Sequence, residues 1–402
     1  MAVPAPQTLT EVPAPRRSGC PFDPAPAYEQ ARRAEPVSRI RLWDGTWCWL
    51  VTRHQDVRTV LRDQRFSADS SRPGFPFLSP GRRVLGTGRT SFIRQDDPEH
   101  ARLRRMLTAD FMVRRTEELR PRIQELADAL LDTMTAHGRR EADLVPEFAL
   151  PLPSVVICLL LGVPYADHGF FQRLSSVMLR TASSPAEISA AQDELQAYLA
   201  DLAGRRRGQP DEGILSRLAA EGELDDEEIA SVGRLLLIAG HETTANMTAL
   251  SVLALLRHPD QLARLRAGGP QEHKAAVEEL LRYLTIVQDG VVRLATEDVS
   301  LGGTAIAAGE GVLCMLSSAN RDEAAFPGEA GLDLGRDARR HLAFGFGVHQ
   351  CLGQALARVE LQVALGTLLS RLPELRLAVP FEEIRFRGDM LVYGVHALPV
   401  TW

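Results

Sequence analysis

The feature that most constrains the fold is a long helical pattern that begins after Asp225 and runs to about Arg257. Asp225 and Glu228 have the spacing of a capping box, and a His-Pro dipeptide follows the last residue of the pattern. The middle of the segment is apolar nearly all round, and a helix of that kind is buried on every side. Its charge-free part, residues 243–256, is shorter than the roughly 20 residues that span a bilayer. We therefore predict a helix that crosses the core of a large protein, and no membrane association.

The remaining sequence predicts further helices with small strands at the margins of the fold. Between residues 98 and 220 the apolar spacing is mostly helical. Two β-prone runs within residues 40–52 flank Asp44-Gly45, which is a hairpin signal. Other segments are predicted as a helix at 54–64, a loop rich in proline and glycine at 70–88, a helix at 271–284, short strands with a Gly-Gly turn at 291–316, and a helix that ends near Leu372. The predicted fold class is mainly α with small β-sheets.

The first 28 residues differ in composition from the rest of the chain. They contain seven prolines, which block regular structure, and they lack the apolar core of a signal peptide or membrane anchor. No internal repeat or low-complexity linker divides the remainder. We predict an irregular N-terminal segment at 1–28, followed by a single domain over 29–402.

Charge and cysteine content exclude several classes of function. The chain has 46 Lys and Arg against 52 Asp and Glu, a net charge of -6, so it has no basic excess with which to bind nucleic acid. Its five cysteines are widely scattered and include no Cys-x-x-Cys pair, which argues against a disulfide framework and a zinc site. This cysteine usage is typical of a reducing compartment, and we predict a cytoplasmic protein.

Cys351 stands out among these cysteines because it lies between a glycine-rich stretch and the start of a predicted helix, in HLAFGFGVHQCLGQALARVEL (341–361). A thiolate ahead of a helix is stabilised by the positive end of the helix dipole. Gly345, Gly347 and Gly353 allow the backbone to turn sharply or to approach a flat partner closely.

Three interpretations of Cys351 are open from its position alone. It can be a small buried residue, a nucleophile with His349 as its base, or the thiolate ligand of a haem. A cysteine hydrolase would follow from the second interpretation. A nucleotide-binding loop is excluded because the third glycine would have to stand at position 350, where the chain has Gln350.

The centre of the long helix carries polar residues, in LLIAGHETTANMT (236–248). A helical threonine such as Thr243 can donate a hydrogen bond to the carbonyl four residues back, and Gly240 leaves room beside it, so the two can open a groove for a diatomic ligand. Burial of Glu242 would be costly without partners. The alternative is a polar patch on a helix that packs against other helices.

Two further pairs have helical spacing. Glu279 and Arg282 lie three residues apart, and such pairs are usually surface ion pairs that contribute roughly 0.2 to 0.5 kcal/mol. His100 and Arg104 lie four apart, so they share one helix face and can together bind a carboxylate. The alternative for His100 and Arg104 is a solvated basic helix.

The cysteine loop resembles that of the cytochrome P450 family, of the soluble actinobacterial type. The residues that carry the resemblance are Phe344, Gly345, Gly347, His349, Cys351 and Gly353, and the likeness covers roughly residues 28–402. Two peripheral positions depart from the family pattern, namely Asp97 in place of proline and Leu332 in place of an aromatic residue. The resemblance implies the cytochrome P450 fold, with haem b (iron protoporphyrin IX) between the long central helix and the cysteine-ligand loop.

The resemblance also implies roles for the residues named above. Cys351 is then the iron ligand, and Glu242 with Thr243 delivers protons during oxygen activation. Glu279 and Arg282, with Arg336, hold the core on the thiolate side of the haem. The implied cofactor-binding residues are His100, Arg104, Arg293 and His349 on the haem propionates, together with Ala239, Gly240, Phe344, Gly345 and Gly353.

The implied activity is that of a haem-thiolate monooxygenase. It uses O2 as co-substrate and takes electrons indirectly from NAD(P)H, through a ferredoxin and a ferredoxin reductase that dock around Cys351 with help from Arg102 and Arg105. The resemblance implies a monomer. Alternatives within reach of the same residues are a peroxygenase and a non-catalytic haem-thiolate sensor, although a sensor would not need the acid and alcohol pair.

The substrate is predicted to be a bulky lipophilic small molecule. Segments 70–93 and 170–190, together with Val291, Val292 and Leu391, are expected to line its pocket, and their apolar character favours such a ligand. We predict tailoring of a secondary metabolite such as a polyene macrolide, as in antibiotic biosynthesis. The alternative is a broad-specificity hydroxylase of xenobiotic or sterol-like compounds.

Overall fold

The structure is a computed structural model and describes residues 12–17, 19–87, 91–328 and 330–402. Its chain divides into two compact units, each of them discontinuous in sequence. The first unit comprises the residues up to His100 together with Glu278–Cys351, and the second comprises Ala101–Val277 and Leu352–Trp402. Helices run across two of the three boundaries between these stretches, at His100 and at Val277.

The described residues form the helices and strands predicted for a mainly α chain with small sheets. The helices are α1 (Pro26–Ala34), α2 (His54–Arg62), α3 (Pro80–Thr87), α4 (Glu99–Thr108), α5 (Val113–Glu118), α6 (Arg120–Thr135), α7 (Pro151–Leu161), α8 (His168–Leu179), α9 (Pro185–Gly208), α10 (Ile214–Glu221), α11 (Asp226–Arg257), α12 (Pro259–Ala267), α13 (Pro270–Leu284), α14 (Leu316–Ala319) and α15 (Gln354–Arg371). The strands are β1 (Val37–Arg41), β2 (Trp47–Val51), β3 (Phe66–Ser67), β4 (Glu141–Asp143), β5 (Val291–Ala295), β6 (Val299–Leu301), β7 (Thr304–Ile306), β8 (Gly311–Cys314), β9 (Arg376–Leu377) and β10 (Pro399–Thr401).

A five-stranded sheet organises the first unit, in the order β1-β2-β8-β5-β3. The predicted hairpin is confirmed, since β1 and β2 pair antiparallel and Gly45 takes the positive φ of +85° that the turn requires. The parallel pair β2 and β8 joins distant parts of the sequence. The predicted Gly-Gly turn joins β6 to β7 at Gly302 and Gly303. This sheet fixes the position of Arg293, which lies on β5.

The long helix α11 organises the second unit. Its predicted capping box is confirmed, because the Asp225 side chain accepts from the Glu228 N–H at 2.8 Å and the Glu228 side chain accepts from the Asp225 N–H at 3.1 Å. Most residues of α11 between Ile229 and Leu255 are buried, and the helix packs against α7, α9 and α15. A helix that is apolar on every side therefore lies inside the unit, as its sequence predicted.

Two predictions about irregular segments are wrong for part of their residues. Residues 80–87 form α3 inside the predicted loop, and residues 26–28 belong to α1 although they were assigned to the irregular N-terminal segment. Proline explains both errors, because it breaks a helix interior but favours the first turn, where Pro26 and Pro80 stand. The parts of these predictions that fall on residues 1–11, 18 and 88–90 lie outside the described residues. No helix within the described part of the chain is long and apolar enough to cross a membrane.

Candidate active site

Cys351 lies at the end of a tight loop that begins at Phe344. The Cys351 N–H donates to the Phe344 carbonyl at 2.9 Å, and residues Gly347–His349 form a single 3-10 turn inside the loop. Helix α15 begins three residues later, at Gln354. Cys351 is exposed, unlike the other four cysteines, which are half-buried or buried: Cys20, Cys48, Cys158 and Cys314. The loop therefore presents one accessible thiol ahead of a helix.

The glycines of this loop serve its turns and its contact with α2. Gly345 and Gly347 have φ angles of +69° and +76°, which disfavour other residues. A Cβ atom on Gly347 would lie 2.2 Å from the carbonyl oxygen of Leu61, the penultimate residue of α2. The sequence suggested that these glycines allow either a sharp turn or a close approach to a flat partner, and the sharp turn is seen at both Gly345 and Gly347.

Two histidines lie together in the first unit. The rings of His100 and His349 are 4.0 Å apart between centroids. His100 Nδ1 lies 3.1 Å from Oδ1 of Asp97, the residue that departs from the family pattern. His100 Nε2 is buried and has no hydrogen-bond partner among the described residues. A ring nitrogen that carries a hydrogen donates a hydrogen bond, so this histidine has a position at Nε2 for a further acceptor.

Arginines add positive charge to the same unit. Arg293 is buried, and burial lowers its pKa. Burial also lowers the pKa of Arg94 to about 10, helped by the positive charges of Arg293 and Arg82. Of these three cations, Arg82 pairs at 3.1 Å with Asp289. An anionic group would stabilise such a cluster. Neither Arg82 nor Arg94 was predicted from the sequence, because arginines outside a recognised motif are usually solvated.

These residues fit the haem that the sequence resemblance implies. A haem brings an iron that needs a protein ligand and two negatively charged propionates. The accessible thiol of Cys351 suits the iron. The unsatisfied Nε2 of His100 and the buried guanidinium of Arg293 suit the propionates.

In the second unit, α11 presents a short accessible stripe at its middle. Thr243 Oγ1 donates to the Ala239 carbonyl at 2.7 Å, which confirms the predicted bond to the carbonyl four residues back. Ala239 is exposed and Thr243 is half-buried, although most of the helix around them is buried. Residues four apart share one face of a helix, so the Thr243 hydroxyl lies on an accessible face.

Gly240 serves helix packing. A Cβ atom at this position would lie 2.7 Å from Cγ1 of Ile157 on α7. The space in the Cβ direction of Gly240 is therefore filled by α7, and the room for a ligand beside this glycine stays a prediction. The absence of a side chain allows α11 to approach α7 closely.

Glu242 is buried and has the partners that its burial requires. Its Oε2 accepts from Arg387 NH1 at 3.1 Å and from Asn246 Nδ2 at 3.2 Å. Asn246 contacts both members of this ion pair, because Arg387 NH1 also donates to Asn246 Oδ1 at 3.1 Å. The sequence predicts that a buried Glu242 needs partners, but it does not identify them. The spacing of Glu242 and Asn246, four residues apart, was a usable signal, whereas no local pattern indicated Arg387.

Glu279 and Arg282 form a buried ion pair. Arg282 donates from Nε and NH2 to the two carboxylate oxygens at 2.6 and 2.7 Å, and both side chains are at most 2% exposed. Arg336 Nε lies 3.4 Å from the same carboxylate. The usual surface pair of this spacing is therefore ruled out here. Arg282 also donates to the carbonyl of Asn320 at 2.8 Å, which ties α13 to the segment after α14.

The predicted substrate and haem contacts have different environments. Val291 and Val292 are consecutive on β5, so their side chains point to opposite faces. Val292 is buried in a core cluster with Leu313 and Met315, and Val291 is half-buried. Leu391 is half-buried and its N–H donates to the Leu179 carbonyl at 2.9 Å. The remaining haem contacts expected from the resemblance are half-buried: Arg104, Phe344 and Gly353.

One buried acid of the second unit was not anticipated. Glu360 on α15 is 2% exposed and forms a hydrogen bond with Thr244 of α11. Burial raises the pKa of this carboxyl from 4.5 to about 8. Glu360 is therefore protonated at neutral pH, next to the residue that follows Thr243 in the chain.

The protonated state of Glu360 makes stability depend on pH. The folded protein keeps the Glu360 proton up to about pH 8, whereas the unfolded chain releases it near pH 4.5. The contribution of Glu360 to the free energy of unfolding is therefore complete below pH 4.5 and is lost as the pH rises to about 8. The variant Glu360→Gln keeps the hydrogen bond but cannot ionise. Between pH 4.5 and 8 its free energy of unfolding should therefore fall by a few kcal/mol less than that of the wild type. Denaturant unfolding at several pH values measures this difference. Parallel pH curves for the two proteins would contradict the assignment.

Comparisons with known proteins cover the whole chain. The model of the family described as cytochrome P450 matches residues 273–375. Cytochrome P450-SU2 of Streptomyces griseolus is 69% identical over 99% of this chain and 98% of its own. Pentalenic acid synthase of Streptomyces avermitilis is 50% identical over 100% of both chains. The crystal structure of CYP105P1 in complex with filipin I matches with a TM-score of 0.90 and 44% identity, and the match covers 98% of each chain.

Proposed function

The chain belongs to the cytochrome P450 family of monooxygenases, and we propose that it oxidises a bulky lipophilic compound in the tailoring of a secondary metabolite such as a polyene macrolide. The observation that carries the haem-dependent activity is the exposed Cys351, held by a tight loop ahead of α15. When bound, the haem supplies the activation of O2.

The first unit supplies the groups that would bind the haem. The Cys351 thiolate would hold the iron and donate electron density to it, which favours cleavage of the O–O bond. His100, His349 and Arg293 would bind the propionates, and we assign Arg104 to the same role because His100 and Arg104 share one face of α4. The Nε2 atom of His100, which lacks a partner among the described residues, supports this assignment.

The second unit supplies the groups that would move protons. Thr243 donates its hydroxyl hydrogen to the Ala239 carbonyl, so the lone pairs of Oγ1 are free to accept another hydrogen bond. Glu242 precedes it in the chain and is a buried carboxylate with two donors. We assign proton holding to Glu242 and proton transfer to Thr243. Ala239 lies on the accessible face of α11, beside Thr243.

The substrate class rests on the relatives and on apolar residues of the chain. One relative is named pentalenic acid synthase, and the solved structure of another holds filipin I. Val291 and Leu391 are half-buried apolar side chains and are proposed to contact the substrate. Oxidation of xenobiotic or sterol-like compounds is the alternative.

Electrons are proposed to come from NAD(P)H through a ferredoxin and its reductase, with the protein acting as a cytoplasmic monomer. Arg105 is exposed, and Arg102 forms a partly exposed ion pair with Glu228 at 3.3 Å. Basic groups of this kind attract an acidic partner and raise its association rate.

The haem-thiolate assignment is tested by absorbance spectroscopy. The purified protein is reduced with dithionite and exposed to carbon monoxide. We expect the far red-shifted Soret band that thiolate ligation gives. A protein that carries haem but shows only the band of nitrogen-ligated haem would overturn the assignment of Cys351.

Ligand titration tests the substrate class separately. Filipin I and vitamin D3 are added in turn, and the spin state of the haem is followed by absorbance. We expect filipin I to produce the larger high-spin change. A change with vitamin D3 alone would favour the sterol-like alternative, and a response to neither compound would reject the proposed class.

A further inference from the structure

Arg387 connects the buried acid of α11 to the C-terminal part of the chain. Its NH1 lies 3.1 Å from Glu242 Oε2 and 3.1 Å from Asn246 Oδ1. The side chains of Arg387 and Glu242 are 14% and 6% exposed, so the ion pair is largely shielded from solvent. Asn246 closes the group by donating to both the carboxylate and the backbone carbonyl of Glu242.

Arg387 belongs to a short hairpin, residues 386–395, which we call the tail hairpin. Phe386 pairs with Val395 as an antiparallel bridge, and the Arg387 N–H donates to the Gly394 carbonyl at 2.8 Å. A Cβ atom at Gly394 would lie 1.7 Å from Asn246 Oδ1. The base of the tail hairpin therefore rests directly against the polar group on α11.

The other end of the tail hairpin contacts a segment predicted to line the substrate pocket. The Leu391 N–H donates to the Leu179 carbonyl at 2.9 Å, and Met390 pairs with Arg180. The Thr181 N–H donates to the Asp389 carbonyl at 2.8 Å. One short hairpin thus carries both the proposed substrate contact Leu391 and the ion-pair partner of Glu242.

The positive charge of Arg387 stabilises the buried carboxylate of Glu242. A buried carboxylate that loses its partner is strongly destabilised, or it rearranges to find another one. The adjacent His241 is fully buried and burial lowers its pKa, so its ring is neutral and does not replace the lost charge. Its Nδ1 is already bonded to the Leu237 carbonyl at 2.7 Å. Among the ion pairs of the described residues, Arg387 is the cation paired with Glu242.

We propose that Arg387 is a positioning residue. It holds the Glu242 carboxylate in the orientation in which Glu242 and Thr243 relay protons, and it ties this carboxylate to the tail hairpin that carries Leu391. This inference rests on the proposed relay role of Glu242. Arg387 then acts on proton delivery only through Glu242. Loss of Arg387 should leave haem binding intact but misdirect the protons, so that consumed O2 leaves as hydrogen peroxide.

The test compares three single variants of the holoenzyme. A surrogate ferredoxin and reductase supply the electrons. The substrate, at saturating concentration, is filipin I, or vitamin D3 if that is the compound that binds. We expect Arg387→Gln to raise the fraction of O2 released as hydrogen peroxide several-fold and to enlarge the solvent isotope effect on turnover. Arg387→Lys should restore part of the wild-type behaviour because it keeps the charge. Arg385→Gln is the matched control, since Arg385 is exposed and lies two residues before Arg387, in the segment that leads into the same hairpin.

A double variant separates this inference from the proposed relay. If Arg387 acts through Glu242, the variant Arg387→Gln with Glu242→Gln should release no more peroxide than Glu242→Gln alone. Additive effects of the two changes would overturn the inference. If Glu242→Gln and Thr243→Ala both leave the fraction of O2 released as peroxide unchanged, the proposed relay itself fails. If those two variants change this fraction but Arg387→Gln does not, only the inference about Arg387 is rejected.

Thermal unfolding gives a readout that does not depend on activity. The melting temperature of the double variant should fall by less than the sum of the two single losses, because either substitution alone already breaks the ion pair. A strictly additive pair of shifts would show that the contact does not stabilise the protein and would count against the inference.

Discussion

Replacing Cys351 with serine is expected to abolish the red-shifted Soret band of the reduced, carbon monoxide-treated protein and to reduce turnover to background. A serine hydroxyl is a far weaker electron donor to iron than a thiolate, so the electron donation that favours O–O cleavage would be lost. Cys351 is the exposed cysteine of the chain, and its loop is fixed by backbone hydrogen bonds that serine would not disturb. Absorbance spectra and peroxide-corrected O2 consumption measure both effects.

The other cysteines supply the control. Burial raises the pKa of Cys158 and of Cys314 to about 12, so these thiols stay neutral and are poor metal ligands. Cys20 is half-buried and is the best matched substitution, because its replacement removes a thiol without opening a core cavity. Cys20→Ser should keep the wild-type spectrum. Retention of the red-shifted band in Cys351→Ser would show that another group binds the iron.

Local patterns determined most of the fold that could be predicted. The capping box of α11 and the Asp44-Gly45 hairpin depend on residues within four positions of one another, and both are present in the structure. The prolines at the start of α1 and α3 misled the prediction because a proline that opens a helix and one that breaks it look alike in sequence.

Contacts between distant residues account for what the sequence did not reveal at the site. Cys351 could be proposed from the sequence because its loop is a contiguous motif, and Thr243 because its bond partner lies four residues back. Arg387 lies 145 positions from Glu242, and nothing in its neighbourhood sets it apart from a solvated arginine. Glu360 looks like any polar residue of an amphipathic helix until α15 is packed against α11. Burial of a charge is a property of the assembled structure, and one sequence does not show it.

The buried ion pair of Glu279 and Arg282 gives the largest expected effect on stability. Glu279→Gln removes the negative charge that compensates Arg282 and, at 3.4 Å, Arg336. Breaking a buried pair by removing one partner costs about 3 to 5 kcal/mol, because the remaining charge stays buried. Since domains are stable by only about 5 to 15 kcal/mol, we expect a large fall in the denaturant midpoint and weaker retention of the haem.

The chain offers a closely matched control for this variant. Glu117 and Arg120 have the same spacing of three residues and the same two-oxygen contact, at 2.7 and 2.9 Å, but they are 44% and 32% exposed. Exposed pairs contribute about 0 to 1 kcal/mol, because water solvates the charge that remains. Glu117→Gln should therefore shift the denaturant midpoint only slightly. Equal shifts in the two variants would mean that burial does not set the strength of the Glu279 pair, and the assignment of that pair to the core on the thiolate side would lose its physical basis.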